Sequence, residues 1–165
     1  HNVDNQYGWI KKWVDKEVKS NTWRDRININ GAYNLENQEV IIVDSDSINT
    51  QSTIELYKKI ESLNENMSTI YIIRDNARYY ANSLVKEYLE TSKIKEICLP
   101  PYSPNLNLIE RLWLFFKKNV TYNKYYETFS IFKEVVINFF NNDILSCKEQ
   151  LITFITKNSM KPLWF

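Results

Sequence analysis

A chain of 165 residues, 44% hydrophobic and 15% aromatic, is long enough for one domain with a real core, too short for two of ordinary size, and too apolar to be disordered. Its net charge of +1 does not mark a nucleic-acid binder, so any affinity for DNA has to come from local patches. With only two glycines, Gly8 and Gly31, the glycine-rich phosphate loops of nucleotide-cofactor enzymes are excluded, and no apolar run approaches the roughly 20 residues that span a membrane.

Residues 1–21 are polar and mixed, with Tyr7, Trp9 and Trp13 among lysines, and read as an irregular arm or a weak strand. Arg24-Asp25-Arg26-Ile27-Asn28-Ile29-Asn30 alternates polar and apolar, the period of a half-buried strand, and Gly31-Ala32-Tyr33-Asn34 continues it. A polar turn at Asn37-Gln38 leads into the β-branched run Val40-Ile41-Ile42-Val43, which predicts an antiparallel hairpin ended by Asp44-Ser45-Asp46-Ser47. Thr50-Gln51-Ser52-Thr53 opens a helix with Ile54, Tyr57, Ile60 and Leu63 at helical spacing. A strand over 69–74 follows, then a helix capped by Asn82 or Ser83 that carries Leu84, Val85, Tyr88 and Leu89. Lys95-Glu96-Ile97-Cys98-Leu99 is a short strand, stopped by Pro100-Pro101. Ser103-Pro104-Asn105 is expected to start a long helix, with further helices over about 125–141 and 143–158. Cys98 and Cys147 are far apart and show neither a pairing nor a zinc-ligand pattern, which suits a reducing cytoplasm. Without repeats or linkers, the order of elements predicts one α/β domain over 1–165, a mixed sheet flanked by helices.

Two acids stand out. Asp75 ends the apolar strand Thr69-Ile70-Tyr71-Ile72-Ile73-Arg74, and Glu110 sits among Leu106, Leu108, Ile109, Leu112, Trp113, Leu114, Phe115 and Phe116. Asp followed by Asn76 also suits a strand-ending turn, with Asn76 either capping that turn or orienting the acid. A helix apolar nearly all round is a buried one, so Glu110 calls for a partner: Arg74, Arg78 or a lysine in a salt bridge, or a bound cation.

Thirty-four residues, 76 to 109, separate the two acids, and the intervening stretch holds Asp75-Asn76-Ala77, then Leu99-Pro100-Pro101-Tyr102-Ser103-Pro104-Asn105-Leu106-Asn107, then Ile109-Glu110-Arg111-Leu112-Trp113. In order and spacing this resembles the last two carboxylates of the mariner-superfamily insertion-sequence transposases, whose RNase H-like domains use an Asp, Asp, Glu triad. The resemblance extends loosely over nearly the whole chain. It implies an RNase H-like fold in which Asp75 and Glu110 are catalytic metal ligands, with Mg²⁺ or Mn²⁺ as cofactor and two ions in the complete site. It also implies DNA as the partner, both transposon ends and target, a homodimer that pairs two ends, and a bacterial cytoplasmic setting on the nucleoid. The family's first Asp, on the central first strand, is expected a handful of residues before His1, so that strand is expected to be missing or incomplete, as is the helix-turn-helix segment. Activity is therefore expected to be lost in this chain, and a remnant that folds, dimerises or binds DNA without cutting is the alternative.

The carboxylates suit the chemistry, because hard divalent cations take oxygen ligands and two of them can activate a water or 3′-hydroxyl and stabilise the leaving oxygen of a phosphodiester. Asp44 and Asp46 are poor substitutes for the absent Asp, since the implied fold sets them two strand spacings away, about 10 Å; Asp4 is no better. Tyr80 stands where many relatives carry His. The expected DNA contacts are Lys11, Lys12, Arg24, Arg26, Arg78, Lys117, Lys118 and Lys124, several of them interleaved with aromatic residues as backbone neutralisation and base stacking require.

Overall fold

The computed structural model describes residues 12, 19, 24–101 and 107–158, the last two by backbone alone. The expected arm over 1–21, Lys11 included, falls outside these residues except at Lys12 and Lys19, as does the helix start at Ser103-Pro104-Asn105.

Strand β1 (Asn28–Tyr33) pairs antiparallel with β2 (Val40–Ser45), Asn30 opposite Val43 and Ala32 opposite Ile41. Their turn is built by asparagine chemistry: Asn34 Oδ1 accepts the Glu36 N–H at 2.8 Å, and Gln38 takes a left-handed φ of 61°. Successive strand residues face opposite ways. Ile42 therefore enters one hydrophobic cluster and Ile41 another, which makes the hairpin the middle of three layers.

On the Ile41 side lies α1 (Thr50–Leu63), started by a capping box in which Asn49 Oδ1 accepts the Ser52 N–H at 3.0 Å and Ser52 Oγ accepts the Asn49 N–H at 2.9 Å. Leu56, Tyr57 and Ile60 pack with Ile41, Val85 and Ile94. Strand β3 (Ile70–Arg74) runs parallel to β4 (Ile94–Cys98). The crossover between them is a 3₁₀ turn, Arg78–Ala81, and α2 (Ser83–Thr91), whose cap is Asn82, accepting the Leu84 N–H at 3.0 Å. Glu61 staples this layer: its carboxylate accepts from Ser92 Oγ and the Lys93 N–H, each at 2.8 Å, and from the Tyr88 hydroxyl. Burial works to raise the pKa of Glu61, but these donors outweigh it and leave the carboxyl below its usual range.

On the Ile42 side α3 (Leu108–Phe116) runs on into a π-helical turn, Lys117–Thr121. Then α4 (Phe129–Asn138), a second π-helical turn (Phe139–Asp143), α5 (Ile144–Ser146) and α6 (Lys148–Asn158) follow. Leu112, Phe115, Val136, Phe139, Phe140 and Leu151 are all buried here, each worth roughly 1.5–3 kcal/mol of burial. The helix expected from about 125 begins at Phe129, because Thr128 Oγ1 accepts the Ile131 N–H and sets the start. The one expected over 143–158 is interrupted at Cys147.

Among the described residues the strands form two two-stranded sheets, and no described strand joins β1 to β3. The side of β3 and β4 turned away from α1 is open, with Tyr71, Ile73 and Ile97 exposed by 69%, 48% and 47%. No described helix is long and apolar enough to cross a membrane.

Candidate active site

Asp75 follows directly on β3, where the rigid parallel pair ends and a side chain projects past the sheet. It is exposed, and its Oδ1 accepts the Ala77 N–H at 3.1 Å, so the turn is capped by Asp75 itself and not by Asn76. Glu110 lies in the first turn of α3. The expectation that it is buried is corrected: α3 buries Arg111, Leu112 and Phe115, and Glu110 sits on the exposed side. The helix is amphipathic because only one face meets the core, while Leu108, Ile109, Trp113 and Leu114 are part-covered.

What presses α3 onto the hairpin is a close approach at Gly31, where an added Cβ would stand 2.9 Å from the Trp113 ring. A side chain at that position would push the Glu110 helix away, so only glycine permits this distance.

Glu110 senses Asp75. The Glu110 carboxyl is raised above the usual range, first by its surroundings, which desolvate it despite the exposed position, and then by the negative charge of Asp75; Lys117, two turns further along the helix, opposes this. Neither acid has an ion-pair partner among the described residues. Arg74, weighed as a partner for Glu110, is instead taken by Glu96: Arg74 Nε stands 2.8 Å from Glu96 Oε2, with both side chains largely buried. Tyr57 donates its hydroxyl to Glu96 Oε1 at 2.6 Å. The same guanidinium donates to the Asp75 carbonyl at 2.9 Å and to Cys98 Sγ at 3.4 Å, and lies 4.7 Å from the centre of the Tyr80 ring. Burial alone lowers the Arg74 pKa, but Glu96 more than reverses it, so the guanidinium stays charged. Tyr80, packed against Tyr79, has its hydroxyl pushed well above the ordinary range, mainly by burial, and stays protonated near neutrality.

Glu96 and Tyr57 are the residues that sequence reasoning missed. Glu96 reaches Arg74 because it pairs with Ile72 while Arg74 pairs with Cys98, a diagonal set by strand register. Composition and periodicity carry no register between parallel strands.

Two oxygen-donor side chains that repel each other and have no cationic partner fit a hard divalent cation. A third ligand is not among the described residues, where no group of three His, Cys, Asp or Glu is placed to hold a metal. Asp44 is committed elsewhere, to Lys133 at 2.6 Å. Of the expected DNA contacts, Arg24, Arg26, Arg78 and Lys117 are exposed. Lys118 is exposed too, with its ammonium 4.7 Å from the Phe154 ring centre, and Lys124 donates to the Asn119 carbonyl. Lys12 is exposed, remote in sequence from the rest.

A strand-end Asp and a helix Glu are thus carried on an RNase H-like α/β frame, here two small sheets flanked by helices. The chain belongs to the family described as DDE superfamily endonuclease, which matches residues 1–133. Among solved structures its fold is similar to that of the Mos1 transposase. With the paired-end complex bearing the left transposon end it shares a TM-score of 0.60 at 15% identity, covering 96% of this chain and 52% of that one. With the pre-cleavage Mos1 transpososome the TM-score is 0.60 at 14% identity, over 99% and 53%, and with the Mos1 strand transfer complex 0.50 at 14%, over 99% and 52%. The chain thus spans about half the length of these structures. No curated protein matches its sequence.

Proposed function

We propose that this chain is the catalytic portion of a mariner-like DNA transposase, with Asp75 and Glu110 as two carboxylates of its metal centre. The observation that carries this is that Asp75, at the end of β3, acts on the Glu110 carboxyl of α3, the two being brought together from 35 positions apart in a DDE superfamily endonuclease. Mg²⁺ or Mn²⁺, bound there, supplies an activated water or 3′-hydroxyl and stabilisation of the leaving oxygen during hydrolysis and strand transfer at transposon ends. Asp75, its backbone fixed on the end of β3, and Glu110, carried on a helix seated by Trp113, hold the ligand oxygens in place. Lys117, which acts on Glu110, and the exposed Arg78, Arg24 and Arg26 are assigned to the phosphates of the DNA, together with Lys118, Lys124, Lys11 and Lys12. A third carboxylate on a strand between β1 and β3 completes the triad. Asp75 and Glu110 are assigned the binding of the cation, and cutting requires the third carboxylate as well. A homodimer holding two ends is the assembly in which it acts.

Calorimetric titration of Mn²⁺ and Mg²⁺ into the 165-residue chain tests this, with Asp75→Ala and Glu110→Ala alongside. Binding lost in either variant supports a shared centre. A folded parent that binds neither ion favours the second reading, a non-catalytic remnant.

A further inference from the structure

The largely buried chain of contacts from Tyr57 through Glu96 to Arg74 ends on the peptide of Asp75, and it crosses three elements, α1, β4 and β3. Such a construction is more than a turn needs, since Asp75 already caps its own turn through Ala77. Its effect is electrostatic. Arg74 precedes Asp75 directly, and an unneutralised guanidinium at that distance competes with any cation for the Asp75 carboxylate. Glu96 cancels the charge, while the Tyr57 hydroxyl fixes the second Glu96 oxygen and leaves the first for Arg74 Nε. Arg74 is thereby directed to the Asp75 carbonyl, the Cys98 sulfur and the Tyr80 ring. Tyr57 is only 1% exposed, so water does not readily replace its hydroxyl.

We propose that Glu96, aimed by Tyr57, is a positioning residue of the metal centre: it neutralises Arg74 and so keeps the Asp75 carboxylate free to bind a divalent cation. This rests on the reading of Asp75 as a cation ligand, and the test separates the two.

Mn²⁺ is titrated calorimetrically into the parent chain and into Asp75→Asn, Glu96→Gln, Tyr57→Phe and the double variant Arg74→Met with Glu96→Gln, each checked for folding by circular dichroism. The expected result is Mn²⁺ binding at least tenfold weaker in Glu96→Gln, about two- to threefold weaker in Tyr57→Phe, and restored to within about threefold of the parent when Arg74→Met is added. An ion pair that only holds the fold together is also relieved when both partners are replaced, so the discriminating readout is the urea midpoint measured beside the affinity: such a role changes the midpoint without a tenfold loss of Mn²⁺ binding in a fully folded Glu96→Gln chain. Unchanged affinity in Glu96→Gln, or a double variant as weak as that single one, overturns the proposal. Should Glu96→Gln not fold, Tyr57→Phe decides in its place: it keeps the ion pair, and parent-like affinity there overturns the proposal. Binding that survives Asp75→Asn defeats the underlying assignment instead.

Discussion

Glu110 ionises against an unfavourable environment, and that has a measurable consequence for stability. Its carboxyl is raised in the folded chain by desolvation and by Asp75. A group whose folded pKa lies above its unfolded one adds stability below the unfolded value, and that contribution disappears as pH rises through the folded value. Glu110→Gln cannot ionise, so it is expected to melt above the parent at pH 7, by about 1–2 °C after allowance for solvent screening, and level with it near pH 3. Scanning calorimetry at the two pH values checks this; a lower midpoint at pH 7 contradicts it. At this scale the sequence displayed the acids, because Asp75 and Glu110 stand in recognisable strings of residues. It did not display their support. Arg74 was as plausible a partner for Glu110 as for anything else until the β3–β4 register set Glu96 on its diagonal.

The site depends on how α3 is seated, by Leu112 and Phe115 in the core and by Trp113 against Gly31. Gly31→Ala places a methyl 2.9 Å from the Trp113 ring and 3.4 Å from the Ile41 carbonyl, so the ring and its helix must yield. Overpacking of this kind costs about 1–3 kcal/mol. The variant is expected to unfold at lower urea and, because Glu110 stands one turn before Trp113, to bind Mn²⁺ more weakly as well. A parent-like urea midpoint contradicts the seating role. Hairpin and most helices were legible from alternation and spacing, and so was the cap at Asn82 or Ser83, which falls to Asn82; the Asn49 cap of α1, one residue before the expected start at Thr50, was not. The exposed placement of Glu110 was not, since a nine-residue apolar helix with one covered face reads as buried all round. Nor was the break at Cys147 or the helix start at Phe129, both fixed by packing and by a single side-chain cap.

Taken whole, the molecule is a hairpin between two helical layers, beside a parallel pair whose outer side is open at Tyr71, Ile73 and Ile97. The α/β class followed from the order of elements and the RNase H-like expectation from the family resemblance, whereas the separation of β1–β2 from β3–β4, where one mixed sheet was expected, appears only in the pairing. The two acids come from different parts of this frame, Asp75 from the parallel pair and Glu110 from the helix packed on the hairpin, so one cation between them is a statement about the entire arrangement. Affinity cleavage measures it directly: Fe²⁺, loaded in place of Mg²⁺ and treated with ascorbate and peroxide, cuts backbone close to where it is bound, and mass spectrometry locates the cuts. The expected result is cleavage beside both Asp75 and Glu110, suppressed together by excess Mg²⁺ and absent in Asp75→Ala. Cleavage beside one acid alone, or at neither in a folded chain, contradicts a shared metal centre.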